Sequence, residues 1–183
     1  MKRLLLAAAV LIAQSMGDLA LAQSREGFGP GPVLPDVGPI APVQSDLPLP
    51  AGTAFKIAFD LHTRAEPGTL SRQIETAART INMHVAAGVP REKVQVVLIA
   101  HGPAAQDLLA PEAYAARTGG KANGSLDAVK KLLGVGVEIY LCGQTAAGQK
   151  ISKADLIPGV KMSLSAITAH AVYQQRGYTL NPF

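Results

Sequence analysis

The chain has 183 residues and a formal net charge of +4; 48% of residues are hydrophobic, 16% charged and 4% aromatic, with no Trp and one Cys. The residues before about 52 read as separable, leaving about 130 for one domain, which can bury enough surface to fold without disulfides or a metal. A single Cys excludes an internal disulfide framework and a Cys-based zinc cluster, and scattered basic residues with few aromatics argue against nucleic acid as a ligand.

Lys2 and Arg3 precede the apolar run Leu4 to Ala13, and Ala20-Leu21-Ala22 offers small residues at a cleavage site. This pattern predicts a signal peptide over residues 1–22, cut after Ala22. The run is too short to cross a bilayer, which takes about 20 residues. Gln23 rather than Cys follows the cut, so no lipid anchor is expected, and Lys2-Arg3 is not a paired-arginine export signal. The expectation is a periplasmic or secreted protein, with no membrane attachment after cleavage.

Residues 23–52 contain Pro30, Pro32, Pro35, Pro39, Pro42, Pro48 and Pro50, with Gly27, Gly29, Gly31, Gly38 and Gly52 interleaved. Proline removes backbone donors and glycine raises the entropy cost of ordering, so this stretch is expected to be an extended, mostly disordered linker.

The remainder, residues 53–183, alternates strand and helix. Ala54 to Leu61 fits a first buried strand, and Thr69 to Ala87 a helix with Ile74, Ala77, Ala78 and Ile81 near helical spacing. Thr69 or Ser71 can cap its start; Gly88 and Pro90 end it. Val94 to Ala100 is β-branched and almost wholly apolar, as in a parallel strand covered on both faces. Residues 104–117 read as one or two short helices, Ser125 to Leu133 as another, and Val137 to Leu141 as the third strand. A short helix begins near Gln144, Val160 to Ser163 makes a fourth strand, Ser165 to Arg176 the last helix, and Tyr178 to Leu180 a final strand. This order predicts an α/β fold, one parallel sheet with helices on both faces. The order of strands within the sheet is not readable.

In open parallel sheets ligands gather beyond the carboxyl ends of the strands. Those ends carry Asp60-Leu61-His62, His101-Gly102, Cys142-Gly143-Gln144-Thr145 and Ser163-Leu164-Ser165. Cys142 is the sharpest candidate, because a helix starting at Gly143 would turn free N–H groups toward its sulfur and favour the thiolate. If strands two and three are neighbours, about 4.8 Å apart, His101 can approach Cys142. The competing reading is a small apolar Cys packed beneath a helix. His62 and Asp60 are expected as solvated loop residues, and His84 and His170 as core or subunit contacts. No HExxH, CxxC, GxSxG, phosphate-loop or dinucleotide pattern is present, so neither a metal nor a cofactor is expected.

Ala87-Gly88-Val89-Pro90, then Val94 to Ala100 leading into His101-Gly102, resembles the DsrE/DsrF-like family of sulfur-relay proteins. So do Gly136 to Gln144, Leu156-Ile157-Pro158-Gly159-Val160, Leu164-Ser165-Ala166, and the ending Gln175-Arg176-Gly177-Tyr178 to Pro182-Phe183. The resemblance covers residues 54–183 and is nearest to exported, single-domain members. It implies a three-layer α/β/α domain with a mainly parallel five-stranded sheet, assembled as trimers or hexamers. In such relays a Cys carries sulfur as a persulfide and passes it to a partner thiol; Cys142 corresponds to a strand-end Cys of the family and His101 to a strand-end His.

Two functions follow. The first is a sulfur carrier with Cys142 and His101 as catalytic residues and Gly102, Gly143, Gln144, Thr145 and His62 around the substrate, served by a donor or acceptor protein or a small sulfur compound. If active, it transfers sulfur rather than hydrolysing or oxidising a substrate. The second is a non-catalytic small-ligand-binding or homo-oligomeric module in which Cys142 is a packed or redox-sensing thiol.

Overall fold

A computed structural model of the chain describes residues 26–182. The expected signal peptide lies outside the described residues.

The chain alternates strand and helix as the hydrophobic pattern predicts. Its strands are β1 (Phe55–Leu61), β2 (Val94–Ala100), β3 (Glu138–Cys142), β4 (Lys161–Ser163) and β5 (Thr179–Asn181). The helices are α1 (Arg72–Ala86), α2 (Pro111–Arg117), α3 (Leu126–Gly134), α4 (Gly143–Gly148) and α5 (Ala166–Gln175), with 3-10 turns before β2, after β2 and before β4. All the strands are parallel, in the order β4-β3-β2-β1-β5.

Side chains alternate across this sheet, so each strand feeds two cores. Ile57, Phe59 and Leu61 join Val96, Leu98 and Ala100 and then Ile139 and Leu141 on one face, under the Ile74, Ala77, Ala78 and Ile81 stripe of α1 and Val129 and Leu132 of α3. The opposite face is thinner: Ala58, Val97, Ile99 and Cys142 meet Ala166, Ala169 and Tyr173 of α5, with the half-buried Tyr140 and Tyr178 packed against them. Ala100 pairs with Leu141, which brings the next two residues, His101 and Cys142, out on this α5 side at adjacent positions of the rim.

Two local expectations differ from the structure. Ser71 occupies the N-cap of α1 without a capping bond from its side chain. Its backbone N–H instead donates to Ser125 Oγ at 3.0 Å, which ties the start of α1 to the start of α3. The second difference is larger. Within the stretch expected to be a disordered linker, residues 28–40 form an ordered strap on α1, closed by an antiparallel bridge between Gly29 and Ile40. Leu34 and Val37 are each 4% exposed and join the main core.

The strap is held by Asn82, a fully buried side chain on α1. Its Oδ1 accepts the N–H groups of Val33 and Leu34 at 3.1 and 2.9 Å. Its Nδ2 donates to the carbonyls of Leu34, Val37 and Gly38 at 2.9, 3.0 and 3.0 Å. The strap thus satisfies its backbone through one side chain, a solution that needs no regular element. Glycine is required where it touches α1: a Cβ on Gly31 would collide with Asn82, and one on Gly38 with the Arg79 backbone.

Candidate functional site

β3 runs into α4 with no intervening loop, so Cys142 is both the last strand residue and the N-cap of the helix. The start of α5 approaches from the other side. The sulfur therefore sits where two sets of unsatisfied helical N–H groups converge. It accepts from the backbone N–H and the hydroxyl of Thr145, and from the backbone N–H groups of Ala166 and Gln144. Burial pushes the thiol up, but these donors outweigh it and hold Cys142 below the ordinary thiol value. Cys142 as a residue is 6% exposed, so fixed dipoles more than water stabilise its thiolate.

Each wall of this cradle has a local cause. Gly143 bears no side chain because a Cβ there would press on the carbonyls of Ser163 and Leu164, so glycine lets the β4–α5 turn close on α4. Ser165 caps α5 by accepting the Thr168 N–H at 3.0 Å. Ser163 Oγ donates to the Ser165 carbonyl at 3.0 Å and fixes the turn. Gln144 Nε2 donates to the Leu164 carbonyl at 3.3 Å and joins the two helix starts. Thr145 Oγ1 accepts the Gly102 N–H at 3.0 Å, which leaves the hydroxyl's own proton for the sulfur. Gly102 can make that contact because it holds a φ of +53°, a conformation glycine adopts at low cost.

A second constellation stands beside the first on the same face. The Asp60 carboxylate receives His170 Nε2 at 2.8 Å and His101 Nε2 at 3.2 Å, with His62 Nδ1 at 3.7 Å. The His62 and His101 rings stack with centroids 6.2 Å apart. Burial raises the Asp60 carboxyl, but hydrogen bonds from His170 and His101 overcome it and keep the group below the ordinary carboxylate value. The three imidazole side chains grade from covered to open: His170 is 14% exposed, His101 37% and His62 49%. No group of three or more His, Cys, Asp or Glu among the described residues could hold a metal ion.

The rim residues expected from the sequence thus lie where the strand ends were placed, with corrections to their partners. His101 is not among the donors to the Cys142 sulfur; its Nε2 turns to Asp60. Gly102 reaches the sulfur only through Thr145. His62 is exposed and anchored by its backbone N–H, which donates to Gln73 Oε1 at 3.0 Å. His84 packs as expected, its ring 4.0 Å from Phe55 and its Nδ1 on the Thr80 carbonyl. Asp60, expected in solvent, is the hub of the imidazoles, and His170, expected as a core or subunit contact, is its shortest partner. The position of Asp60 at a strand's carboxyl end was a usable signal. No local pattern marks His170, which is 110 residues away.

Residues 56–182 match the model of the DsrE/DsrF-like family. Two solved structures share the fold. A protein of unknown function, MTH1491 from Methanobacterium thermoautotrophicum, superposes with a TM-score of 0.54 at 18% identity, covering 70% of this chain and 99% of its own. The ychN protein from E. coli gives 0.50 at 17% identity, with the same coverage of 70% and 99%. A search of curated proteins finds no significant match.

Proposed function

This chain belongs to the DsrE/DsrF-like family, and we propose that it is an exported carrier of sulfane sulfur that uses Cys142 as nucleophile and carrier. The observation that supports this most is the set of four N–H and O–H donors on one sulfur, which keeps the thiol below its ordinary value despite burial. A thiolate, not a thiol, attacks sulfur. Donor and acceptor are a partner protein or a small sulfur compound. The periplasmic or secreted location rests on residues 1–22, which have the charge, apolar run and small-residue cleavage site of a signal peptide.

The test is a brief exposure of folded protein to polysulfide followed by intact mass measurement. The expected result is a gain of about 32 Da, one sulfur, at Cys142 that is absent in Cys142→Ser. A folded wild-type protein whose thiol stays unmodified until denaturation overturns the proposal.

A second reading, a non-catalytic homo-oligomeric module of trimeric or hexameric form, is favoured by one observation. Leu164 and Ile167, which bracket the α5 start, are 72% and 82% exposed. On that reading Leu164→Asp or Ile167→Asp dissociates the assembly, and Cys142→Ser changes neither assembly nor ligand binding.

A further inference from the structure

Asp60 is acceptor-only as a carboxylate, so both imidazole nitrogens that meet it must carry protons. His170 Nε2 at 2.8 Å and His101 Nε2 at 3.2 Å are therefore both donors. This fixes the ring of His101 with Nε2–H on Asp60 and leaves Nδ1 as the edge that gains or loses a proton. Nδ1 of His101 makes no hydrogen bond to protein among the described residues. His170 secures the hub from the opposite layer, because it projects from α5 and is the least exposed of the three. The titratable groups facing Asp60 are His62 from the end of β1, His101 from the end of β2 and His170 from α5.

The position of this ring relative to Cys142 follows from register. Ala100 and Leu141 are paired, and His101 and Cys142 are the next residues on their strands, both on the α5 side. Their backbones are thus one strand spacing apart, about 4.8 Å. When a thiolate displaces a group from sulfur in line, the departing atom lies about two S–S bond lengths, roughly 4 Å, from the attacking sulfur. A donor lying across β3 and β2 would therefore carry its departing atom from Cys142 toward the end of β2, the strand end that bears His101.

We infer that His101, oriented by Asp60 and His170, is the acid that protonates the thiol leaving group when a persulfide delivers sulfur to Cys142. The inference rests on the carrier reading above. The Cys142 thiolate attacks the outer sulfur of R–S–SH; the Sγ–S bond forms as the S–SR bond breaks, and its electron pair leaves on RS. The departing thiolate takes the Nδ1 proton of the His101 imidazolium and leaves as RSH. Cys142 becomes a persulfide, the imidazole becomes neutral, and nothing is oxidised or reduced overall. Asp60 keeps the Nε2 proton throughout, which makes it and His170 positioning residues.

The need for a proton depends on the leaving group. A thiolate with a conjugate acid near pKa ~8.5 benefits from protonation at neutral pH, whereas a sulfinate does not. Single-turnover loading of Cys142 is therefore measured with two donors, N-acetylcysteine persulfide and the benzenethiosulfonate anion, in wild type, His101→Gln and Asp60→Asn. His101 is partly exposed, so its replacement leaves the fold intact even if Asp60→Asn does not. The expected result is a loss of about a hundredfold with the persulfide in His101→Gln, and a change within about threefold with benzenethiosulfonate. Equal losses with both donors, or none with either, overturn the acid role while leaving the carrier intact. A wild-type protein that loads from neither donor overturns the carrier reading, and this inference with it.

Discussion

Thr145 touches Cys142 twice, through its backbone N–H and through its hydroxyl, and the hydroxyl is aimed by the Gly102 N–H 3.0 Å behind it. The loop after β2 thereby acts on a sulfur at the end of β3 without reaching it. Thr145→Val keeps the shape and the backbone donor but removes the hydroxyl and leaves the Gly102 N–H without its acceptor. Losing one hydrogen bond to a charged group costs about 1.5 kcal/mol, so thiol alkylation at neutral pH is expected to slow about tenfold. The midpoint of its pH profile is expected to move up from the wild-type position, which itself lies below that of an ordinary thiol. Thr145→Ser should restore both. A pH profile identical in wild type and valine variant would show that the hydroxyl does not reach the thiolate.

Gly143→Ala tests the other wall. The added Cβ meets the Ser163 and Leu164 carbonyls, and the β4–α5 turn has to retreat. That retreat withdraws the Ala166 N–H from the sulfur while the Thr145 donors stay in place. The expected outcome is a thiol that is more exposed yet less ionised: faster alkylation at pH 9 and slower at pH 6.5 than wild type. Overpacking costs about 1 to 3 kcal/mol, so a lower urea midpoint is expected alongside. Slower alkylation at both pH values would mean that the turn does not move.

Most of this architecture was legible because its long strands carry their own signal. Val94 to Ala100 is apolar in almost every position, as a strand buried on both faces must be, and the glycines after α1 and α3 mark the helix ends. Strand order was not legible, since β4 and β5 have three residues each and edge pairing leaves no trace in so short a segment. The site was half legible. Cys142 and His101 could be placed on one rim by counting strand ends, but the partner of each imidazole depends on how α5 is rotated, which periodicity in a helix of small residues does not fix. The strap was missed for a physical reason too. Its apolar anchors Leu34 and Val37 have no period among prolines and glycines, and Asn82 reads in sequence as one more polar residue on an amphipathic helix.

Asn82→Ala is expected to release the strap without unfolding the sheet. The substitution removes the acceptor of two backbone N–H groups and the donor to three carbonyls in a buried setting. Stranding buried backbone groups costs about 1 to 3 kcal/mol each, more than this short segment can recover elsewhere, so the strap is expected to open to water. Hydrogen exchange of the Leu34 and Val37 amides should rise to near the unstructured rate, while β2 amides keep most of their protection. Loss of protection in strap and sheet together would make residues 28–40 an integral part of the cooperative fold.

Glu138 gives the fold a dependence on acid with a defined window. It stands at the start of β3, accepts the hydroxyls of Tyr140 and Tyr173 at 2.9 and 2.8 Å, and pairs with Lys161 at 2.7 Å. The hydrogen bond from Lys161 leads, and with the two tyrosines it outweighs burial and holds the carboxyl at about 2 rather than 4.5. Between those values the unfolded chain binds more protons than the folded one, so stability rises with pH there. The contribution is complete above about pH 4.5 and is lost as the pH falls toward about 2. Because the Glu138 side chain is 41% exposed, water screens it, and the net effect is on the order of 1 kcal/mol. Glu138→Gln keeps an oxygen acceptor for the tyrosines but removes the charge. In urea titrations its deficit against wild type is expected to be constant from pH 7 to about 5, to shrink below 4.5, and to diminish further in 0.5 M salt, where the Lys161 pair is screened. A deficit that stays constant through pH 3 would assign the effect to packing of the amide rather than to the ionised carboxylate.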